Sequence, residues 1–122
     1  AQYTQAGLVA EMKRLAVPAS ADSIPSSAMQ EDHVSLGWHA ARKLRTSVDN
    51  LRRVLAIELA AAARAVDLRA PLKPSEPAQR VIVALREKVA GPGPDRFLAP
   101  AIEATEELLR TGELLAAAGP LD

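Results

Sequence analysis

At 122 residues the chain is long enough for one domain and too short for two cores of ordinary size. Fifteen Lys and Arg offset fifteen Asp and Glu, so no net basic field exists to hold a phosphate backbone, and nucleic acid is excluded as the expected partner. Cysteine is absent, which rules out a disulfide framework and thiolate metal sites and fits a reducing cytosol.

The chain opens with "AQYTQAGLVAEM", without an initiating methionine and already inside a helical pattern, as a cut end would. Leu8, Val9, Met12 and Leu15 recur at three-to-four spacing and predict a helix over 2–16. "AVPASADSIPSS" carries two prolines, four serines and an aspartate, which cannot continue a helix and predict a loop over 17–34. A second helix follows over 35–68, with Leu44, Val48, Leu51, Leu55, Ala62 and Val66 on one stripe. Its apolar run "VLAIELAAAA" contains Glu58 and is too short to span a bilayer, and no charged-then-apolar signal segment opens the chain. A soluble, cytoplasmic protein is expected.

"APLKPSEP" breaks the chain before a third helix over 77–89. "AGPGPDRF" predicts a turn anchored by Phe97, and Pro100 suits the first turn of a fourth helix over 100–110. A short helix over 112–118 ends at Gly119 and Pro120. No strand pattern or internal repeat is present, so the expectation for 1–122 is one all-α unit, a long-helix bundle. Only Trp38, Tyr3 and Phe97 are aromatic, and an alanine- and leucine-rich core needs closely approaching helices.

The second helix is too long for its domain. At 1.5 Å per residue it measures roughly 50 Å, against a diameter of about 35 Å for a compact chain of this length. Part of its stripe is therefore expected to be covered by helices outside this chain, as in an incomplete fold or an oligomer.

The segment "SSAMQEDHVSLG" places Glu31, Asp32 and His33 in a row where the loop meets this helix. On sequence grounds Asp32 or Ser35 can cap the helix, and the two acidic residues suit its N-terminal dipole. A metal site from Glu31, Asp32, His33 and His39 is disfavoured, because three consecutive side chains do not converge and no HExxH or cysteine set exists. A serine hydrolase is disfavoured too, since GxSxG and a strand for a nucleophile elbow are missing.

"AQYTQAGLVAEMKRLAVPASADSIPSSAMQEDHVSLG", followed by "VLAIEL" and "DRFLAP", resembles the C-terminal portion of the aromatic amino acid ammonia-lyases along essentially the whole chain. Within them, "SSAMQEDHVS" resembles the histidine ammonia-lyase branch; phenylalanine and tyrosine lyases typically carry amides there, as in "NQDVNS", so Glu31 speaks for a histidine substrate. The resemblance implies the C-terminal part of a helical lyase core and elimination of ammonia from L-histidine to give urocanate. It also implies a methylidene-imidazolone group, made autocatalytically from an internal Ala-Ser-Gly, and no metal. Glu31 matches the family's active-site glutamate, in substrate binding or proton transfer, and Gln30 beside it is carried over as substrate-binding. A carboxylate accepts hydrogen bonds from an imidazole N–H or an ammonium more strongly than an amide does.

The departures are equally specific. No Ala-Ser-Gly occurs; the nearest string is Ala19, Ser20 and Ala21. The tyrosine base, the imidazole-binding histidine and the carboxylate-holding arginine lie upstream in the family, and Tyr3 belongs to a different motif. The family's members are homotetramers with active sites shared among subunits. The resemblance thus implies a segment that supplies Glu31 and oligomer contacts, depends on an N-terminal portion it lacks, and is inactive alone. Two alternatives are a noncatalytic helical assembly module that keeps the lyase scaffold, and a related aromatic lyase or aminomutase, which Glu31 disfavours. Glu58 is expected in packing or an ion pair, His33 in a capping or supporting role, Trp38 or His39 in packing, and "ARKLR" at 41–45 on a solvated face.

Overall fold

A computed structural model describes residues 1–120. Five helices and one minimal ribbon make up the described residues: α1 (Gln2–Leu15), β1 (Pro25–Ser26), β2 (Glu31–Asp32), α2 (Gly37–Asp67), α3 (Glu76–Arg86), α4 (Ala99–Thr111) and α5 (Glu113–Ala118). The all-α class expected from the periodicity is the class observed. No described helix is long and apolar enough to cross a membrane.

Helix α2 is the spine, 31 residues long and so about 46 Å. Helix α1 lies antiparallel along it, since its start meets the middle of α2 and its end meets the beginning. Gln5 Nε2 donates to the Val54 carbonyl at 3.2 Å and reaches Glu58 Oε2 at 3.5 Å. Farther along, the buried Asn50 donates to Glu11 Oε2 at 2.7 Å, and Lys43 donates to the Val17 carbonyl just beyond α1. These bonds satisfy polar groups that would otherwise be costly at a helix contact. Helix α4 also runs antiparallel to α2, tied by Arg53 Nε to Glu106 Oε2 at 3.3 Å.

The core sits in the second half of the chain. Ala63 of α2, Ile82 and Leu85 of α3, Val89, Leu108 of α4 and Leu114 of α5 form one buried cluster. Arg86 closes the α2–α3 connection through Asp67 Oδ2, at 3.0 Å from Nε and 2.5 Å from Nη2. Arg80 fastens α5 to α3 by donating to the carbonyls of Ala117 and Ala118 at the end of α5. Gly112 joins α4 to α5 at φ 79°, a left-handed geometry that a side chain would strain.

Several expectations need correction. The second helix starts at Gly37, not 35, behind Leu36 with no side-chain cap; Ser35 Oγ only accepts a long 3.4 Å contact from the Gly37 N–H. Asp32 is not a cap either, because an antiparallel ladder (Pro25↔Asp32, Ser26↔Glu31) and a 2.7 Å bond from the His33 N–H to the Ile24 carbonyl hold 31–33 extended. The 17–34 segment is therefore not wholly irregular. The third helix ends at Arg86, before 89, and Phe97 is no anchor at 81% exposure; Trp38 is likewise 73% exposed. Both aromatic side chains lie on faces that the described residues do not cover.

Candidate active-site loop

The ribbon presents the cluster found in the sequence. Between its strands, Ser27, Ala28 and Met29 take φ of 51°, 54° and 68°. Each such left-handed residue without glycine costs on the order of 1 kcal/mol. The Gln30 N–H donates to the Ser27 carbonyl at 3.1 Å and closes the turn. A turn held this way fixes where the next residue, Glu31, leaves the backbone.

Glu31 is exposed and opens β2. Its carbonyl accepts from Ser26 Oγ at 3.4 Å, and its carboxylate Oε2 accepts from Ser27 Oγ at 3.3 Å. No ion pair engages this carboxylate among the described residues; Asp49, Asp67, Glu76, Glu106 and Glu107 are each paired with an arginine, and the remaining described carboxylates, like Glu31, are not. Gln30 is exposed at the turn, next to Glu31.

Asp32 and His33 do not join Glu31 in one constellation. Successive residues of a strand face opposite sides, so Asp32 points away from Glu31, while the His33 backbone carbonyl receives a 3.5 Å contact from Ser23 Oγ. His39 is on the first turn of α2. Among the described residues no three His, Cys, Asp or Glu side chains gather as metal ligands. Glu58 remains on the α1–α2 seam with Gln5, away from the ribbon.

Ser27 is the neighbour of Glu31 that the sequence left unmarked. Its hydroxyl meets Glu31 only because the left-handed turn folds position 27 back on 31, and no spacing rule signals such a turn without glycine. An apolar cavity of about 200 Å³ does exist, but it lies between α2 and the start of α4, lined by Ile57, Ala60, Leu98, Ala101 and Ile102; Glu31 and Gln30 are not on its wall. Nor do the residues present fit a methylidene-imidazolone group: Ser20 stands in the exposed loop in an Ala-Ser-Ala string, without the following glycine.

A family profile described as aromatic amino acid lyase matches residues 1–87. The histidine ammonia-lyase of Streptomyces avermitilis is 66% identical over 126 aligned positions, which take in 99% of this chain and 25% of the relative. The crystal structure of histidine ammonia-lyase from Trypanosoma cruzi superposes with a TM-score of 0.90 at 42% identity, over 96% of this chain and 23% of that one. A tyrosine aminomutase from Streptomyces globisporus superposes with a TM-score of 0.85 at 39% identity, over 95% of this chain and 22% of its own. The chain thus spans about a quarter of the length of the curated relatives it matches. With the profile covering most of its length, the chain belongs to the aromatic amino acid lyase family.

Proposed function

We propose that this chain is the C-terminal segment of a histidine ammonia-lyase and that Glu31 is the acidic side chain it gives to the active site. In the whole enzyme the α-amino group of L-histidine leaves as ammonia, a β-proton is removed, and a carbon–carbon double bond forms to give urocanate. The electrophilic group is made from residues outside this chain. Glu31 binds the substrate's imidazole or ammonium, or handles a proton, with Gln30 beside it. The enzyme is a cytoplasmic homotetramer, and the segment alone is inactive.

The observation that carries this reading is Glu31 itself: an exposed carboxylate, fixed by a closed turn and left without a cationic partner among the described residues. A carboxylate held free of ion pairs is available to a cationic or N–H-donating substrate. The relatives at 65–66% identity named histidine ammonia-lyase support histidine over tyrosine. The half-exposed apolar stripe of α2 favours the assembly-module alternative as well, since either protein must cover it.

Urocanate absorbance separates the two. The full polypeptide carrying this segment is expected to form urocanate from histidine, and the isolated chain is not. Glu31→Gln is expected to lower kcat by about 10²-fold, the scale of one general acid or base, with the thermal midpoint unchanged. Wild-type kinetics for Glu31→Gln would remove Glu31 from the site, and a full polypeptide silent on histidine would leave the assembly module.

A further inference from the structure

We propose that Ser27 is a positioning residue for Glu31, an inference that rests on the reading of Glu31 as substrate-facing. The hydroxyl donates to Oε2 at 3.3 Å, and Oε1 has no donor among the described residues. One oxygen is thereby held and the other left for substrate. An exposed glutamate otherwise samples many rotamers, and ordering it when substrate arrives opposes binding and reaction.

Both ends of the contact are fixed by the backbone. The Ser27 carbonyl accepts from the Gln30 N–H, and Glu31 is registered against Ser26 in the ribbon, with Ser26 Oγ on its carbonyl. The hydroxyl therefore reaches the carboxylate across a closed four-residue turn, with the backbone fixed and only side-chain torsions left to vary.

The choice of donor matters electrostatically. Five other carboxylates of this chain are held by arginine, and Glu11, Glu58 and Glu113 by neutral donors as Glu31 is. A guanidinium at Glu31 would orient the carboxylate and cancel its charge together. A neutral hydroxyl orients it and leaves the full negative charge for a substrate ammonium or imidazole. Position 27 also carries a conformational cost at φ 51°, where glycine or asparagine would be relaxed. What serine supplies over glycine there is the hydroxyl.

The same φ dictates the test, made in the full polypeptide with histidine as substrate. Ser27→Gly removes the hydroxyl without straining the turn, and Ser27→Asn tolerates the left-handed backbone while offering an amide N–H to Glu31. Ser27→Gly is expected to lower kcat about three- to tenfold, the range of one modest hydrogen bond, with KM for histidine nearly unchanged. Ser27→Asn is expected to recover most of the loss. On a Glu31→Gln background, Ser27→Gly is expected to have no further effect.

Wild-type kcat for Ser27→Gly beside a slow Glu31→Gln would overturn the positioning role and leave Glu31 in the site. Multiplying losses in the double variant would overturn it too, because Ser27 would then act independently. Wild-type kinetics for Glu31→Gln would overturn both.

Discussion

Glu107 and Arg110 lie one turn apart on α4, where Arg110 Nε and Nη2 donate to the two carboxylate oxygens at 2.7 and 2.5 Å. These bonds hold the Glu107 carboxyl below the usual glutamate range; slight burial works against them, and the charges of Arg110 and then Arg52 add to them. The same bond with Glu107 raises the Arg110 guanidinium. A carboxyl whose folded value lies below its unfolded one stabilises the fold above the unfolded value, and that contribution is lost as pH falls through the folded value. Both side chains are more than half exposed, so the effect on stability is small and screened by salt. A carboxyl-detected NMR titration should find the Glu107 midpoint below the ordinary glutamate value, and Arg110→Met should move it up. A midpoint indifferent to Arg110→Met would refute the pairing. Glu31 differs in its donor: the Ser27 hydroxyl, not a guanidinium, meets its carboxylate, as the Thr111 hydroxyl meets Glu113.

At the scale of elements, stability is concentrated where α3, α4 and α5 close over the second half of α2. Leu85 is 0% exposed at the centre of that cluster, and Leu85→Ala is expected to cost about 2–5 kcal/mol in a urea melt. Leu44→Ala, on the exposed part of α2, should cost well under 1 kcal/mol in a monomeric sample. A loss below 1 kcal/mol at Leu85 would mean that the cluster is not the folding core. Helices were legible because the apolar residues of α1 and α2 repeat every three or four positions. Their ends were not. Val89 extends the spacing of Ile82 and Leu85 and is buried, yet it lies past the last helical turn, its N–H still bonded to the Leu85 carbonyl at 2.9 Å. Periodicity reports burial, and burial outruns the helix there. The ribbon was illegible for the opposite reason, since two-residue strands have no period to read. Glu31 is singled out in the sequence only by the resemblance of "QEDHVS"; the Ser27 contact depends on three left-handed residues without a glycine to announce them.

Across the described residues, the most regular apolar surface left without a partner runs along α2. Leu44, Val48, Leu51 and Leu55 follow one another at four, three and four positions along α2, with exposures of 63%, 46%, 47% and 49%. Helices α1 and α4 cover other faces of α2. The overhang expected from length alone is thus matched by an apolar stripe of coiled-coil spacing, the kind that seats another helix. Leaving such area wet costs about 25 cal/mol per Å², and a formal charge of zero provides no net repulsion to keep copies apart. We expect the isolated chain to self-associate at micromolar concentration in sedimentation velocity, by burying this stripe against a second copy. Leu51→Lys with Leu55→Lys places two like charges on the contact and should return the chain to a monomer with its helical circular dichroism intact. The core cluster lies on other residues, so the double variant separates association from folding. If both chains sediment as monomers, the stripe does not drive self-association and its cover must be a helix of different sequence; if both associate equally, the contact lies on another face.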